Sequence, residues 1–165
     1  MKRQLISAVP LFAVLVAPMM AQAATATATM PVSLTLNANC TLTASALTFP
    51  AATSLATALT ANTTVGVTCT NTTPYNIGLD AGATPGSTIA ARLLAGSTGN
   101  TATVQFKLFR NAGLTDNWGN TVGTDTQTGT GSGSLQNVTV YGQIPIQVAP
   151  KPDTYSASIT ATVTF

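Results

Sequence analysis

The chain has 165 residues, of which 45% are hydrophobic and only 6% charged, with no Glu, no His and two Cys. Soluble domains usually carry about a quarter charged residues, so this sequence offers neither a basic patch for nucleic acid nor a field that would steer a charged substrate. Two cysteines without histidine cannot supply the four ligands of a zinc site, and the length fits one domain with a real core.

Residues 1–23, "MKRQLISAVPLFAVLVAPMMAQA", open on Lys2 and Arg3, continue through an apolar stretch from Leu5 to Met20, and end on Ala21-Gln22-Ala23. This is the pattern of a secretory signal peptide with a small-x-small cleavage site. A membrane span needs roughly 20 apolar residues, and Pro10 and Pro18 interrupt this run. The expectation is an exported protein that starts at Ala24. Without Lys2 and Arg3, the cations Arg92, Lys107, Arg110 and Lys151 balance Asp80, Asp116, Asp125 and Asp153. Near-zero net charge promotes self-association.

The stretch "ATATATMPVSLTLNAN" (24–39) alternates apolar and polar residues. Ala24, Ala26, Ala28, Met30, Val32, Leu34 and Leu36 fall on one face, and Pro31 is the only exception on the other. Period-2 alternation predicts a strand with one buried face. Cys40 and Cys69 follow. In an oxidising compartment they predict a single disulfide, whose loop of about 30 residues would stabilise the fold by roughly 3.5 kcal/mol.

Four further strands are predicted before the last. "TTVGVTCTN" (63–71) aligns Val65, Val67 and Cys69, and "YNIGLDAG" (75–82) aligns Tyr75, Ile77, Leu79 and Ala81. Between them "NTTP" (71–74) supplies turn residues. "TVQFKLF" (103–109) groups Val104, Phe106 and Leu108; "NVTVYGQIPI" (137–146) groups Val138, Val140, Ile144 and Ile146. "GTDTQTGTGSG" (123–133) reads as a flexible polar loop. The final strand, "YSASITATVTF", points Tyr155, Ala157, Ile159, Ala161, Val163 and Phe165 inward. No stretch has a helical period, and the abundance of Thr argues against helices. The expected class is an all-β sandwich.

The sandwich is expected to be unbalanced at its ends. The final strand stays in phase to Phe165 and has no Lys, Pro or bulge signal to blunt its edge. A fully patterned strand meanwhile stands at the N-terminus. It either folds back to close its own sandwich or closes that of another molecule.

Three other features have plainer readings. Asp80 and Asp116 lack a histidine, glutamate or poised nucleophile beside them, so they read as turn residues rather than a catalytic pair. Trp118 in "DNWGN" reads as a loop anchor rather than a sugar-stacking platform. Asn39, Asn62, Asn71 and Asn137 begin Asn-x-Thr sequons, which a Thr-rich chain produces by chance.

The runs "VTCTNTTPYNIGLDAG" (67–82), "ARLL…VQFKLFRNAGLTDNWG" (91–119) and "VYGQIPIQVAPKPDTYSASITATVTF" (140–165) resemble the spore coat protein U domain family, which includes the pilins of archaic chaperone–usher pili. The likeness covers essentially all of the chain after residue 23, including Cys40 in "CTLTASALTFP". Pro50, Gln143, Asp153 and Ala157 depart from the family's usual residues, at turns and surface positions.

The resemblance implies an incomplete immunoglobulin-like β-sandwich, residues 38–165, completed by a donor strand from a neighbouring subunit. The donor would be residues 24–37. A periplasmic pilus chaperone would first lend a strand to the groove, and an outer-membrane usher would exchange it for the donor of an identical or related pilin, by β-strand addition. A head-to-tail contact of this kind makes a filament, carried through the periplasm to the cell surface. There it would support adhesion and biofilm formation.

In this scheme Met30, Val32, Leu34 and Leu36 fill the acceptor pockets, contributing roughly 6–12 kcal/mol at about 1.5–3 kcal/mol each. Pairing is expected to be tight from Val32 to Asn37 and looser before Val32. Ile159, Val163 and Phe165 are expected to line the groove, with Leu42 and Ala44 opposite. With no basic patch, no histidine and no poised nucleophile, no enzyme activity, cofactor or nucleic-acid partner is expected. An outer-membrane barrel would need aromatic girdles, which 5% aromatics do not provide. A tip adhesin would need a separate binding domain. A self-contained secreted binding module remains the competing reading.

Overall fold

A computed structural model describes residues 22–165; the predicted leader, residues 1–21 of it, lies outside the described residues. The chain divides into two units, Met1–Thr35 and Leu36–Phe165.

The second unit contains eight strands: β1 (Cys40–Ala44), β2 (Leu59–Cys69), β3 (Pro74–Leu79), β4 (Arg92–Ala95), β5 (Thr103–Phe109), β6 (Gln127–Thr130), β7 (Gln136–Ile144) and β8 (Ala161–Thr164). They form a five-stranded sheet in the order β1-β2-β7-β5-β4 and a three-stranded sheet in the order β6-β3-β8, every pair antiparallel. One core joins the two sheets. Val65, Val67, Val104, Phe106, Leu108 and Val140 enter it from the larger sheet, and Tyr75, Ile77 and Leu79 from the smaller. These are the apolar sets of the predicted strands. The arrangement is an all-β sandwich, as the alternation requires: each sheet buries one face and wets the other.

Cys40 and Cys69 are disulfide-bonded and sit opposite each other at the first pair of the β1–β2 ladder. Trp118 is fully buried, and its Nε1 donates to the Ile77 carbonyl at 2.8 Å. It is an anchor that ties its loop to β3.

The structure corrects several expectations. Residues 24–39 carry no strand, and Met30, Val32, Leu34 and Leu36 are each more than 80% exposed. Alternation makes a segment able to pair, but a strand exists only where a ladder satisfies its backbone. The polar loop 123–133 contains β6, which pairs with β3 from Ile77↔Gln127 to Pro74↔Thr130. It has no apolar face to read, because Gly129 stands where any Cβ would strike the Tyr75 ring. Ile146, placed inward on sequence, is 70% exposed. Pro145 ends the ladder just before it, since proline has no N–H to donate.

Candidate functional site: an open apolar groove

The second unit holds an open cavity of about 920 Å³. Its apolar lining includes Val65, Val104, Phe106, Leu108, Val140 and Ile144, drawn from β2, β5 and β7. Two further stretches complete the wall. One is the continuous run 44–55; the other is 149–157 with Ile159 and Ala161.

Both stretches carry unpaired backbone. Among the described residues, 46–54 make no main-chain hydrogen bond, although Leu47 and Phe49 pack against the core. They rest over Gly142, where a Cβ would come within 2.5 Å of Leu47 Cδ2. β8 is the edge strand of the smaller sheet, with β3 on one side only.

The hydrogen bonds show which groups of that edge are free. Ser156 exchanges both main-chain bonds with Ala95, and the Thr160 carbonyl accepts from Asp80 N at 3.0 Å. In a strand the backbone groups of alternate residues point to opposite sides. Even-numbered residues from Ser156 to Thr164 therefore face the pairing side, β4 and β3. The odd-numbered residues Ala157, Ile159, Ala161 and Val163 aim N–H and C=O at the open edge. The same odd residues are the partly buried ones that pack on the core. β1 behaves in the same way: Ser45 N and Asn39 O bond towards β2, so the backbone of Cys40, Leu42 and Ala44 faces away from it.

A buried cation secures the start of the β8 edge. Arg92 has no exposed surface, and its guanidinium donates to the carbonyls of Leu79, Asp80, Ile89 and Trp118 at 2.6–3.1 Å. Burial lowers its pKa to about 10, against the opposing charges of Asp80 and Asp125; it stays protonated at neutral pH. Because Arg92 Nε occupies the Asp80 carbonyl, Thr160 N donates instead to Asp80 Oδ1 at 2.9 Å. The same oxygen accepts from Gly82 N at 2.9 Å. Asp80 is thus a joint between the β3 end and the last strand. Asp116 is exposed and takes part in a local turn with Asn111 and Thr115.

Of the residues expected at the groove, Ala44 and Ile159 line this cavity. Leu42 and Val163 pack against the core cluster beyond the cavity wall, and Phe165 is 55% exposed. Met30, Val32 and Leu34 belong to the N-terminal unit, and Leu36 begins the second. Arg92 and the 46–54 run were missed on sequence. "IAARLLA" was a usable signal, since a lone arginine in an apolar run of a charge-poor chain has to find internal acceptors. Among the described residues, no group of three or more His, Cys, Asp or Glu could hold a metal ion.

A family model, the Spore Coat Protein U domain, matches residues 26–162. The chain belongs to the Spore Coat Protein U domain family. The match takes in both the exposed alternating segment and nearly the whole sandwich. Among solved structures, the fold of this Spore Coat Protein U domain is similar to a chain of the CsuC–CsuE chaperone–tip adhesion subunit pre-assembly complex, from the archaic chaperone-usher Csu pili of Acinetobacter baumannii. The TM-score is 0.60 at 22% identity, covering 79% of this chain and 41% of that one. The chain thus spans less than half the length of that relative. A search of the curated proteins gives no match.

Proposed function

We propose that this protein is a structural subunit of a chaperone–usher pilus, polymerising by donor-strand complementation. The observation that carries the reading is a pair of complementary defects. The sandwich has a groove of about 920 Å³ beside an edge whose backbone groups are free. The segment 30–36 has large apolar side chains on alternate residues, all exposed, with no ladder. Exposed apolar alternation and an open apolar edge are each hazards alone; together they are the two halves of one joint. Family membership and the likeness to a chain of a pilus assembly complex support the same reading.

On this reading residues 1–23 are a leader, 24–37 the donor, and 38–165 the acceptor sandwich. Met30, Val32, Leu34 and Leu36 enter the groove of the next subunit, between the β8 edge and the run that follows β1. Burying four such side chains supplies about 6–12 kcal/mol, and each ladder bond adds about 1 kcal/mol. A periplasmic chaperone protects the groove before assembly and an outer-membrane usher exchanges the strands. The fibre stands on the cell surface, where it serves adhesion and biofilm formation; the chain has no catalytic role.

The test is an unboiled SDS gel of the exported chain, with and without residues 24–36, co-expressed with its chaperone and usher. A ladder that boiling collapses to monomer, and that the deletion abolishes, is expected. A full-length chain running as monomer, with a deletion that merely unfolds it, would favour a self-contained binding module instead.

A further inference from the structure

Resting on that reading, we infer that Met30 is an oxidation site that controls assembly. A peroxide that turns its thioether into a sulfoxide bars a free subunit from the fibre, while a subunit already joined is shielded.

Met30 is the one methionine after residue 23 and is 82% exposed. The other readily oxidised side chains are out of reach. Cys40 and Cys69 are joined in the disulfide, and the single tryptophan, Trp118, has no exposed surface. In the free chain, an oxidant therefore finds its sulfur on the segment that has to enter another subunit. Val32, Leu34 and Leu36 share that apolar face but offer only hydrocarbon.

The reaction is a two-electron oxygen transfer. A sulfur lone pair attacks one oxygen of hydrogen peroxide, the O–O bond breaks, and the departing hydroxide takes up the proton left on the transferred oxygen. Sulfoxide and water result; the sulfur is oxidised and the peroxide reduced. No charge appears, but a flexible apolar side chain becomes a polar one that needs a hydrogen-bond donor.

The floor of the groove has no side chain that could donate. Val65, Phe106, Leu108 and Val140 line it with hydrocarbon, and a polar group buried unpaired against such a wall is disfavoured. This holds whichever of them the side chain meets, so the argument needs no particular register. Backbone pairing is expected to loosen before Val32, which leaves Met30 held in the joint mainly by its side chain, the part that oxidation alters. Once inserted, the sulfur is out of water and beyond the reach of peroxide. Sulfoxide reductases reverse the change, which makes it a switch on free subunits rather than damage to the fibre.

The test starts from the chaperone-bound chain, treated with hydrogen peroxide until Met30 is partly oxidised, then quenched and assembled at the usher. Mass spectrometry of the Met30 peptide compares the fibre with the unincorporated chain from the same tube. The sulfoxide is expected to be depleted in the fibre roughly tenfold, the weight of one unpaired polar group in an apolar site. Treating the oxidised chain with both sulfoxide reductases before assembly should restore its entry. Finished fibres should keep Met30 unmodified under conditions that oxidise it in the free chain. Met30→Leu, scored as the ratio of its treated to its untreated ladder, should show no peroxide effect, whatever its own yield; if it gives no ladder, the partition in the parent chain decides alone. Equal sulfoxide in fibre and unincorporated chain, a Met30→Leu ladder lost on treatment as the parent's is, or fibres whose Met30 oxidises as fast as the free chain's overturns the inference and leaves the pilus reading standing. An untreated parent chain that gives no boil-sensitive ladder overturns the pilus reading itself.

Discussion

Asp80 is the joint on which the open edge depends, and replacing it isolates that role. Its Oδ1 accepts two backbone N–H bonds, from Gly82 and Thr160, each at 2.9 Å. Bonds to a charged group are worth about 1.5–3 kcal/mol each. Both donors are partly wet, so the lower figure applies, and Asp80→Ala should destabilise the fold by about 3 kcal/mol. With a urea slope of about 1.5 kcal/mol/M, the midpoint should fall by about 2 M. Trp118, the single tryptophan and fully buried, reports the transition by fluorescence. Asp80→Asn keeps the acceptor oxygen and loses only the charge, so it should cost about 1 kcal/mol. A loss below about 0.5 kcal/mol in the alanine variant, or equal losses in the two, would refute the assignment of Asp80 as a main-chain acceptor.

Replacing Cys40 and Cys69 together by serine opens a link 29 residues apart in sequence and should lower stability by about 3.5 kcal/mol in the chain-entropy model, read by thermal melting. Gly129→Ala should cost roughly 2–3 kcal/mol by forcing the Tyr75 ring off β6; a melt within a degree of the parent would contradict that contact. Asp153 takes hydrogen bonds first from Asn100 and then from Ser97 and Thr154, which hold its pKa down at about 2 from 3.8. A depressed acid pKa contributes stability above the ordinary value, and that contribution disappears as pH falls from about 4 to about 2. Asp153→Asn should flatten the stability–pH curve in that window and leave its shape near pH 7 unchanged.

The alternating runs made much of the fold legible, because a sandwich strand writes its buried face directly into every second residue. Val65, Val67 and Cys69, or Val104, Phe106 and Leu108, could be read without knowing their partners. β6 could not, since Gln127 to Thr130 are held by backbone pairing and by the room Gly129 leaves. Arg92 escaped notice for a related reason: its partners are carbonyls, which have no sequence signature. Both halves of the candidate joint were visible as imbalance, yet the actual wall was less so. The 44–55 run follows no strand period, so Leu47 and Phe49 entered the groove lining where Leu42, Val163 and Phe165 had been expected.

If the chain polymerises as proposed, the disulfide also has a mechanical consequence. Tension along a filament would enter each subunit through the few residues between Leu36 and Cys40. Without a covalent tie, that pull would peel β1 from β2 one ladder rung at a time, because β1 is an edge strand bonded on a single side. The Cys40–Cys69 bond lies at the first rung. It passes the load straight into β2, a central strand flanked on both sides, where many hydrogen bonds must shear together. The staple that costs an unfolded chain its entropy would, in a pulled fibre, be the clamp that keeps its subunits from unzipping.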